Sequence, residues 1–285
     1  MRYSFSGHES FQCKSLWLKK GYDYLLAGGK FNDADSVVKL GVGKNMVASI
    51  RFWLRAFSLT TADELTPLAN YIFNNDNGRD KFTEDINTLW ILHYLLVKSG
   101  IASIYNLLFL EYQREKKEFS KSELQTFIKR KCSVPEQKNV YNENTVKKDI
   151  GVLLKNYIAP TDLKAIEDFS ALLLDLNLIN RRKQDNSEHE SYVFRQVKNS
   201  EISDEVFLFA LIDYSNEDKT LSLDKLQALA LIFCMPLPDL IEAIKRIESR
   251  YSRSIVFTDN SGVKNVQLLA ELEPSTILDS YYNAV

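Results

Sequence analysis

Apolar side chains recur at helical spacing through most of this chain of 285 residues. Apolar positions three and four apart form a stripe along one side of a helix. Such stripes, with capping residues and glycines near their ends, predict helices over these ranges: 6–20, 34–40, 44–58, 84–98, 120–130, 143–157, 161–176, 203–214, 222–233 and 237–250. Two further stretches, 178–197 and 254–268, are typical of paired short strands around a polar turn.

The order of these elements predicts the fold class. Two helices followed by a strand pair are the plan of a winged helix, and the plan occurs at 143–197 and again at 222–268. A helix-turn-helix without a wing is predicted at 34–58. We therefore expect a mainly α protein with several helix-turn-helix or winged-helix-like units and short β-hairpin wings. Three domains are expected: 1–112 with an acidic segment, 113–200 and 201–285.

Composition narrows the class of protein. Apolar residues make up 45% of the chain and charged residues 26%, which is ordinary for a globular protein with a core. Cys13, Cys132 and Cys234 lie about a hundred residues apart, so a disulfide scaffold or a four-thiolate zinc site is excluded. No secretion signal or long apolar segment is visible, and we expect a cytoplasmic protein without a membrane anchor.

The net charge of −2 hides an uneven distribution. Residues 1–62 carry nine basic and four acidic side chains, whereas residues 63–90 carry two basic and six acidic ones. A third stretch, 113–148, has ten basic and five acidic side chains. Solvated helix faces would explain any one of these stretches, but a basic surface beside an acidic one also suits a protein that binds nucleic acid.

The predicted helix 44–58 has the features of a recognition helix. Its apolar stripe would pack on the preceding helix, and Phe52 is expected on the opposite, polar face. Lys44 and Asn45 lie at its start, where side chains of such helices enter the major groove, and Arg51 and Arg55 are placed to meet phosphates. Many helix-turn-helix units bind protein instead, so both interpretations stay open. A second phosphate contact is predicted at Lys147 and Lys148.

Acidic side chains cluster before the helix predicted at 84–98. Asp80, Glu84 and Asp85 offer the hard oxygen ligands that Mg²⁺ or Mn²⁺ prefers, and such an ion could activate water against a phosphodiester. These three residues are thus the candidate catalytic and metal-binding set. The structural alternative is that they cap the helix N-terminus and interact with its dipole.

The segment 4–23 contains further candidate chemistry. His8 and Cys13 are five residues apart, which is poor spacing for two metal ligands or a nucleophile pair on one helix. His8 and Glu9 could instead line a site with the later acids, together with His93. Gly41-Val42-Gly43-Lys44 lacks the first glycine of a phosphate-binding loop, so an ATPase is unlikely on this pattern.

Three segments also carry a family resemblance: GHESFQCKSLWLKKGYD at 7–23, LGVGKNMVASIRFWLRAF at 40–57 and GRDKFTEDINTLWILH at 78–93. Together they resemble a bacterial family of uncharacterised domains found in DNA phosphorothioation operons, which includes the nicking subunit of a phosphorothioation defence system. A weaker likeness continues through 145–158 towards the C-terminus. Lys81 and Thr83 depart from the family pattern, which usually has proline and an apolar residue there.

The resemblance implies a protein that acts on double-stranded DNA beside a cysteine desulfurase, an ATPase and a sulfurtransferase-like enzyme. The leading hypothesis is a metal-dependent DNA nickase that opens one strand so that sulfur can enter the backbone. The alternative is a non-catalytic DNA-recognition or scaffolding subunit that recruits the modification enzymes. A third hypothesis is a protein–protein adaptor that never touches DNA.

Overall fold

The protein is mainly α-helical with short antiparallel strands, as the computed structural model describes it over residues 2–161, 170–183, 190–260, 263–270 and 272–284. The chain divides into two compact units, 1–195 and 196–285. The expected division of the first unit at residue 112 stays a prediction.

Helices dominate the first hundred residues. In order they are α1 (Trp17–Leu26), α2 (Ser36–Leu40), α3 (Lys44–Ala56), the hairpin of β1 (Thr60–Thr61) and β2 (Glu64–Leu65), α4 (Pro67–Phe73) and α5 (Ile86–Ser99). The predicted helices at 34–40, 44–58 and 84–98 are confirmed. The β-hairpin and α4 were not predicted, because both are too short for a clear periodic pattern.

The predicted helix 6–20 is wrong. Ser6, Glu9 and Ser10 adopt positive φ angles of 76°, 48° and 66°, so the segment before α1 is not helical. Gly21 does not stop the helix but lies in the middle of α1. A Cβ atom there would come within 2.7 Å of Ile50 and Leu54, so the glycine allows α1 and α3 to approach closely.

The second half of the first unit contains a helix-and-hairpin arrangement. Its elements are α6 (Ser103–Asn106), a π-helical segment (Leu107–Tyr112), α7 (Gln113–Glu115), β3 (Glu118–Phe119), α8 (Lys121–Lys131), α9 (Glu143–Tyr157), β4 (Ile179–Lys183) and β5 (Glu190–Phe194). The strands form one antiparallel sheet in the order β3-β5-β4. Ser120 and Glu123 close the predicted capping box on α8, and α9 has its predicted bounds.

The second unit repeats this order of elements. It contains α10 (Asp204–Ser215), β6 (Thr220–Ser222), α11 (Leu223–Ile232), α12 (Leu237–Arg250), β7 (Ile255–Asn260), β8 (Val263–Leu268) and α13 (Pro274–Tyr282). Its sheet order is β6-β8-β7. The predicted helices 203–214, 222–233 and 237–250 are confirmed, as are the strand pairs predicted at 178–197 and 254–268.

Some predicted features fall partly outside the described residues. This holds for most of the helix predicted at 161–176, for the turn of the first strand pair at 184–189 and for Ser261 and Gly262 in the second hairpin. Residues 174–176, at the end of that predicted helix, form a short 3₁₀ helix. Across the described ranges, no single helix is long and apolar enough to cross a membrane; two consecutive helix pairs reach the length and composition only together, bent by 99° and 105°.

Candidate nucleic-acid interface

The helix-turn-helix segment is built by α2, a three-residue turn and α3. Gly41 ends α2 in the left-handed conformation at φ 61°, which glycine adopts without steric cost. On α3, the side chains of Val47, Ile50, Trp53 and Leu54 are buried. The indole Nε1 of Trp53 donates a hydrogen bond of 3.2 Å to the carbonyl oxygen of Phe11. The buried stripe therefore orients the opposite face of α3 outward.

An open groove of about 760 Å³ lies along this outward face. Lys44, Ala48, Arg51 and Arg55 line it from α3, and their spacing of four, three and four residues puts them in one row. Phe31 and Val37 contribute apolar walls. Lys44 and Arg55 are exposed, and neither has an ion-pair or hydrogen-bond partner in the part of the chain that the structure describes. The row thus presents two unpaired positive charges about three turns apart, with a small alanine between them.

Arg51 differs from its neighbours in the row. Its guanidinium donates two hydrogen bonds to the carboxylate of Asp63, at 2.9 and 2.6 Å, and a third of 3.2 Å to Oδ1 of Asn32. A bidentate pair of this kind neutralises the charge and holds the side chain. Arg51 is therefore held against the hairpin of β1 and β2. Asn45 is exposed but does not line the groove, since it is turned about 100° from the row.

Phe52 was expected on the exposed, polar face of α3, but its side chain is buried. Its ring is 7% exposed and packs against the backbone of Gly7, where a Cβ atom would come within 2.5 Å of the ring carbon Cδ2. The positive φ of Gly7, 100°, brings the N-terminal segment across α3. The expectation of an exposed Phe52 is therefore wrong, because it took no account of a segment packed on that side of the helix.

His8 links this segment to α9. Its ring is 4% exposed, and Nδ1 accepts a hydrogen bond of 3.1 Å from the backbone N–H of Ser10. The proton is accordingly on Nε2, which donates to Oδ1 of Asp149 at 3.0 Å. Asp149, 3% exposed, also accepts from the backbone N–H of Ser6. His8 stacks on Trp53 of α3 with an interplanar angle of 16°, so one buried pair connects α3 and α9.

Asp149 is the residue that the sequence analysis missed. It lies on the same stripe of α9 as Val146, Ile150 and Leu153, all of which are buried. A carboxylate on the apolar side of an amphipathic helix is costly unless it is paired, so its position was the available signal. Its partner, His8, is 141 residues away.

Lys147 and Lys148 directly precede Asp149 and lie on the exposed side of α9. Asn142 caps this helix by accepting a hydrogen bond of 3.0 Å from the backbone N–H of Thr145. Both lysines are exposed, and no ion pair or hydrogen bond to either is found within the described ranges. The first turns of α9 therefore carry two unpaired positive charges.

The acidic segment, residues 80–85, stabilises the loop before α5 and the first turn of this helix. The two carboxylate oxygens of Asp80 accept the backbone N–H groups of Glu84 and Asp85, each at 3.0 Å. Asp85 is the N-cap and accepts from the backbone N–H of Asn87 at 2.7 Å. Asp85 therefore caps α5, whereas Asp80 stabilises the loop that leads into the helix. Glu84 is exposed to solvent.

This geometry does not fit a divalent cation well. Each carboxylate oxygen of Asp80 already accepts one backbone hydrogen bond, so a metal would share these oxygens with the N–H groups of Glu84 and Asp85. Among the residues that the structure describes, no group of three or more His, Cys, Asp or Glu side chains is placed to hold a metal ion. The catalytic and metal-binding assignment of Asp80, Glu84 and Asp85 stays a prediction.

The remaining candidate residues lie apart. His93 is completely buried, with Nδ1 2.8 Å from the hydroxyl of Tyr157 and its ring 4.8 Å from that of Phe109. It belongs to the core, and its assignment as a site-lining residue stays a prediction. Glu9 is exposed at a turn, and its neighbour His8 is turned inward.

Fold and site together define a class: a mainly helical protein with one helix-turn-helix segment and two helix-and-hairpin units. A family model described as a protein of unknown function, DUF4007, matches residues 5–282, and the chain belongs to this family. No curated protein matches the sequence.

Two crystal structures share this fold. One is a magnesium ion-bound SspB, with 24% sequence identity and a TM-score of 0.84, and the other is an SspB structure with 23% identity and a TM-score of 0.82. Each comparison covers 98% of this chain and 88% of the SspB chain. The expected resemblance to an SspB-like family of uncharacterised domains is confirmed.

Proposed function

We propose that this protein is the DNA-recognition subunit of a DNA phosphorothioation system. The observation that carries the proposal is the row of Lys44, Ala48 and Arg55 on α3, in which both cations are exposed and without partners among the described residues. Cationic side chains gain free energy at a nucleic-acid backbone by releasing condensed counterions. The SspB fold and the family resemblance support a phosphorothioation system as the setting.

In this proposal α3 is the recognition helix. Lys44 and Asn45 approach base edges from its N-terminus, and Arg55 contacts a phosphate. Arg51 has a different role, because its pair with Asp63 keeps the helix oriented. The helix-and-hairpin units of 113–200 and 201–285 are winged-helix units in this proposal, and α9 provides a second phosphate contact through Lys147 and Lys148. The partners are double-stranded DNA and the desulfurase, ATPase and sulfurtransferase-like subunits of the system.

The test is a salt titration of DNA binding. Fluorescence anisotropy with a labelled duplex, between about 50 and 200 mM salt, gives the slope of log K against log salt concentration. The double variant Lys44→Ala/Arg55→Ala is expected to weaken binding and to lower the steepness of this slope by about one, since the phosphate contact of Arg55 contributes about 0.9. The control is Lys219→Ala, which removes an exposed lysine of the second unit. Binding that is independent of salt would refute the proposal and favour a protein–protein adaptor.

A second candidate function is that the chain itself nicks one DNA strand with Mg²⁺ or Mn²⁺. The observation in its favour is that one SspB of the same fold is magnesium ion-bound. Asp80, Glu84 and Asp85 remain the candidate residues, although among the described residues no group of three or more His, Cys, Asp or Glu side chains is placed to hold a metal ion. No step of a nicking reaction is therefore assigned to them.

Plasmid nicking separates the two candidates. Purified protein is incubated with supercoiled plasmid and Mg²⁺ or Mn²⁺, with and without a chelator, and open circles are counted on a gel. A nickase produces open circles that disappear with the chelator and with Glu84→Ala, a substitution that leaves the caps of α5 intact. DNA binding without open circles supports the recognition subunit.

A further inference from the structure

Gly151 occupies an unusual place in the middle of α9. Glycine in a helix interior is destabilising relative to alanine, so a retained glycine calls for a compensating gain. For Gly21 in α1 the gain is internal, since a Cβ atom would collide with Ile50 and Leu54 at 2.7 Å. A Cβ atom at Gly151 would meet nothing within 4 Å. Packing among the described residues therefore does not explain this glycine.

Gly151 lies on a basic row of α9. Asn144, Lys148, Gly151 and Lys155 follow one another at helical spacing and share one side of the helix. The row continues the exposed surface of Lys148 and enters a groove of about 300 Å³ that Gly151 and Lys155 help to line. The backbone of α9 is thus approachable from outside at the one position of the row that has no side chain.

The far wall of the groove is also basic. Lys121 at the start of α8 and Arg181 of β4 line it together with Tyr192 of β5. Glu190 faces these groups: its carboxylate lies 2.8 Å from Nε of Arg181 and 3.8 Å from Nζ of Lys121, and it accepts a hydrogen bond of 2.5 Å from the hydroxyl of Tyr192. Lys121 and Arg181 therefore share one carboxylate, that of Glu190, and Lys121 is 59% exposed.

We infer that this groove, the Gly151 groove, holds the sugar-phosphate backbone of duplex DNA. This inference rests on the proposed function and extends it to residues outside the helix-turn-helix segment. A phosphate seated between Lys148 and Lys121 runs directly over the α9 backbone, and a side chain at position 151 would hold it away. Tyr192 is buried and bonded to Glu190, so it offers no stacking surface for an unpaired base. Backbone contact with a duplex is accordingly the chemistry that the groove fits.

The test uses substitutions that strengthen the helix but obstruct the groove. Gly151→Ala and Gly151→Leu introduce good helix formers, so the Tm is expected to rise by about 2 °C. The duplex Kd is expected to rise about threefold for alanine and more than tenfold for leucine, because the added carbons displace the phosphate. Ser249→Leu adds similar bulk to an exposed site on α12, the equivalent helix of the second unit, and is expected to leave the Kd unchanged.

The outcomes separate this inference from the proposed function. Weaker binding by Gly151→Ala at a raised or unchanged Tm supports the inference, even if Gly151→Leu fails to fold. Gly151 variants that bind DNA as the wild type does, while Lys44→Ala/Arg55→Ala binds weakly, overturn the inference and leave the proposed function standing. If the wild-type protein binds no duplex at low salt, both are overturned.

Discussion

The two helix-and-hairpin units have the same order of elements and the same sheet order. They differ in the pairing of basic residues on the helix before the hairpin, which is α9 in the first unit and α12 in the second. On α9, Lys147 and Lys148 project without partners among the described residues. On α12, Arg246 is bound to Asp204 at 2.7 Å and to Asn199, and Arg250 is paired with Glu205. The segment 196–285 carries fourteen acidic and eight basic side chains, whereas 1–195 has 28 basic and 24 acidic ones.

This difference shows that two units with the same order of elements can differ in which of their charges are paired. An arginine paired with a carboxylate must lose that partner before it can neutralise a phosphate, whereas an unpaired lysine loses only water and counterions. The first unit therefore carries the unpartnered lysines among the described residues, and the arginines of α12 are held by pairs within the second unit.

The largest expected effect concerns the buried pair of the first unit. Asp149→Ala leaves the buried Nε2–H of His8 without its acceptor, so the free energy of unfolding is expected to fall by about 1–3 kcal/mol. Urea denaturation measures it, and the transition of residues 1–195 should move. The control in the second unit is Asp259→Ala, which removes an exposed pair with Lys264 and should cost less than about 1 kcal/mol. Equal losses in the two variants would contradict the role assigned to the buried pair.

The next effect tests the contrast between α9 and α12 directly. Lys147→Ala/Lys148→Ala should reduce the steepness of the salt dependence of duplex binding by about two, since two phosphate contacts are lost. Lys245→Ala removes an exposed lysine of α12 and should leave the slope unchanged. A slope that responds to Lys245 but not to the two α9 lysines would reverse the comparison.

A smaller effect is expected when an arginine of α12 is released. Asp204→Asn removes the carboxylate that pairs with Arg246 and should steepen the salt dependence of binding by at most about one. Glu217→Gln makes the same change of charge at an exposed site of the second unit and serves as the control. If both variants steepen the slope equally, net charge rather than pairing distinguishes the units.

The smallest effect is a pH dependence confined to the first unit. A hydrogen bond from Arg130 lowers the pKa of Glu115, and one from Lys116 lowers the pKa of Glu123. A carboxyl whose pKa is lowered on folding contributes stability above its unfolded pKa, about 4.3, and loses it as the pH falls through the folded pKa. Glu115→Gln/Glu123→Gln should thus lower the Tm at pH 7, and this deficit should shrink as the pH falls below about 4.3. A deficit that stays constant as the pH falls would point to lost packing instead.

Local patterns predicted much of the fold. The bounds of α9 and α12 and the capping box of α8 follow from periodicity and capping residues a few positions apart, which act within one helix. The prediction of a helix at 6–20 was wrong because Ser6 and Glu9 have the spacing of a capping box. The segment is instead held by a hydrogen bond from Ser6 to Asp149, which lies 143 positions further along the chain.

The candidate site was likewise only partly predictable from local patterns. The basic character of α3 and the charges of Lys44, Arg55, Lys147 and Lys148 could be read from the sequence, because charge and helical phase are local properties. Three features could be found only in the folded chain. They are the pairing of Arg51 with Asp63, the burial of Phe52 against Gly7 and the hydrogen bond that Asp80 accepts from the loop before α5. Each depends on an atom supplied by another segment.

The sequence by itself determined where the helices lie and which of their faces are basic, since both follow from neighbouring residues. Only the tertiary structure decided which of those charges are unpaired, because pairing depends on segments that meet after folding. It also showed that packing among the described residues does not explain Gly151, since the space around a missing Cβ atom exists only in three dimensions.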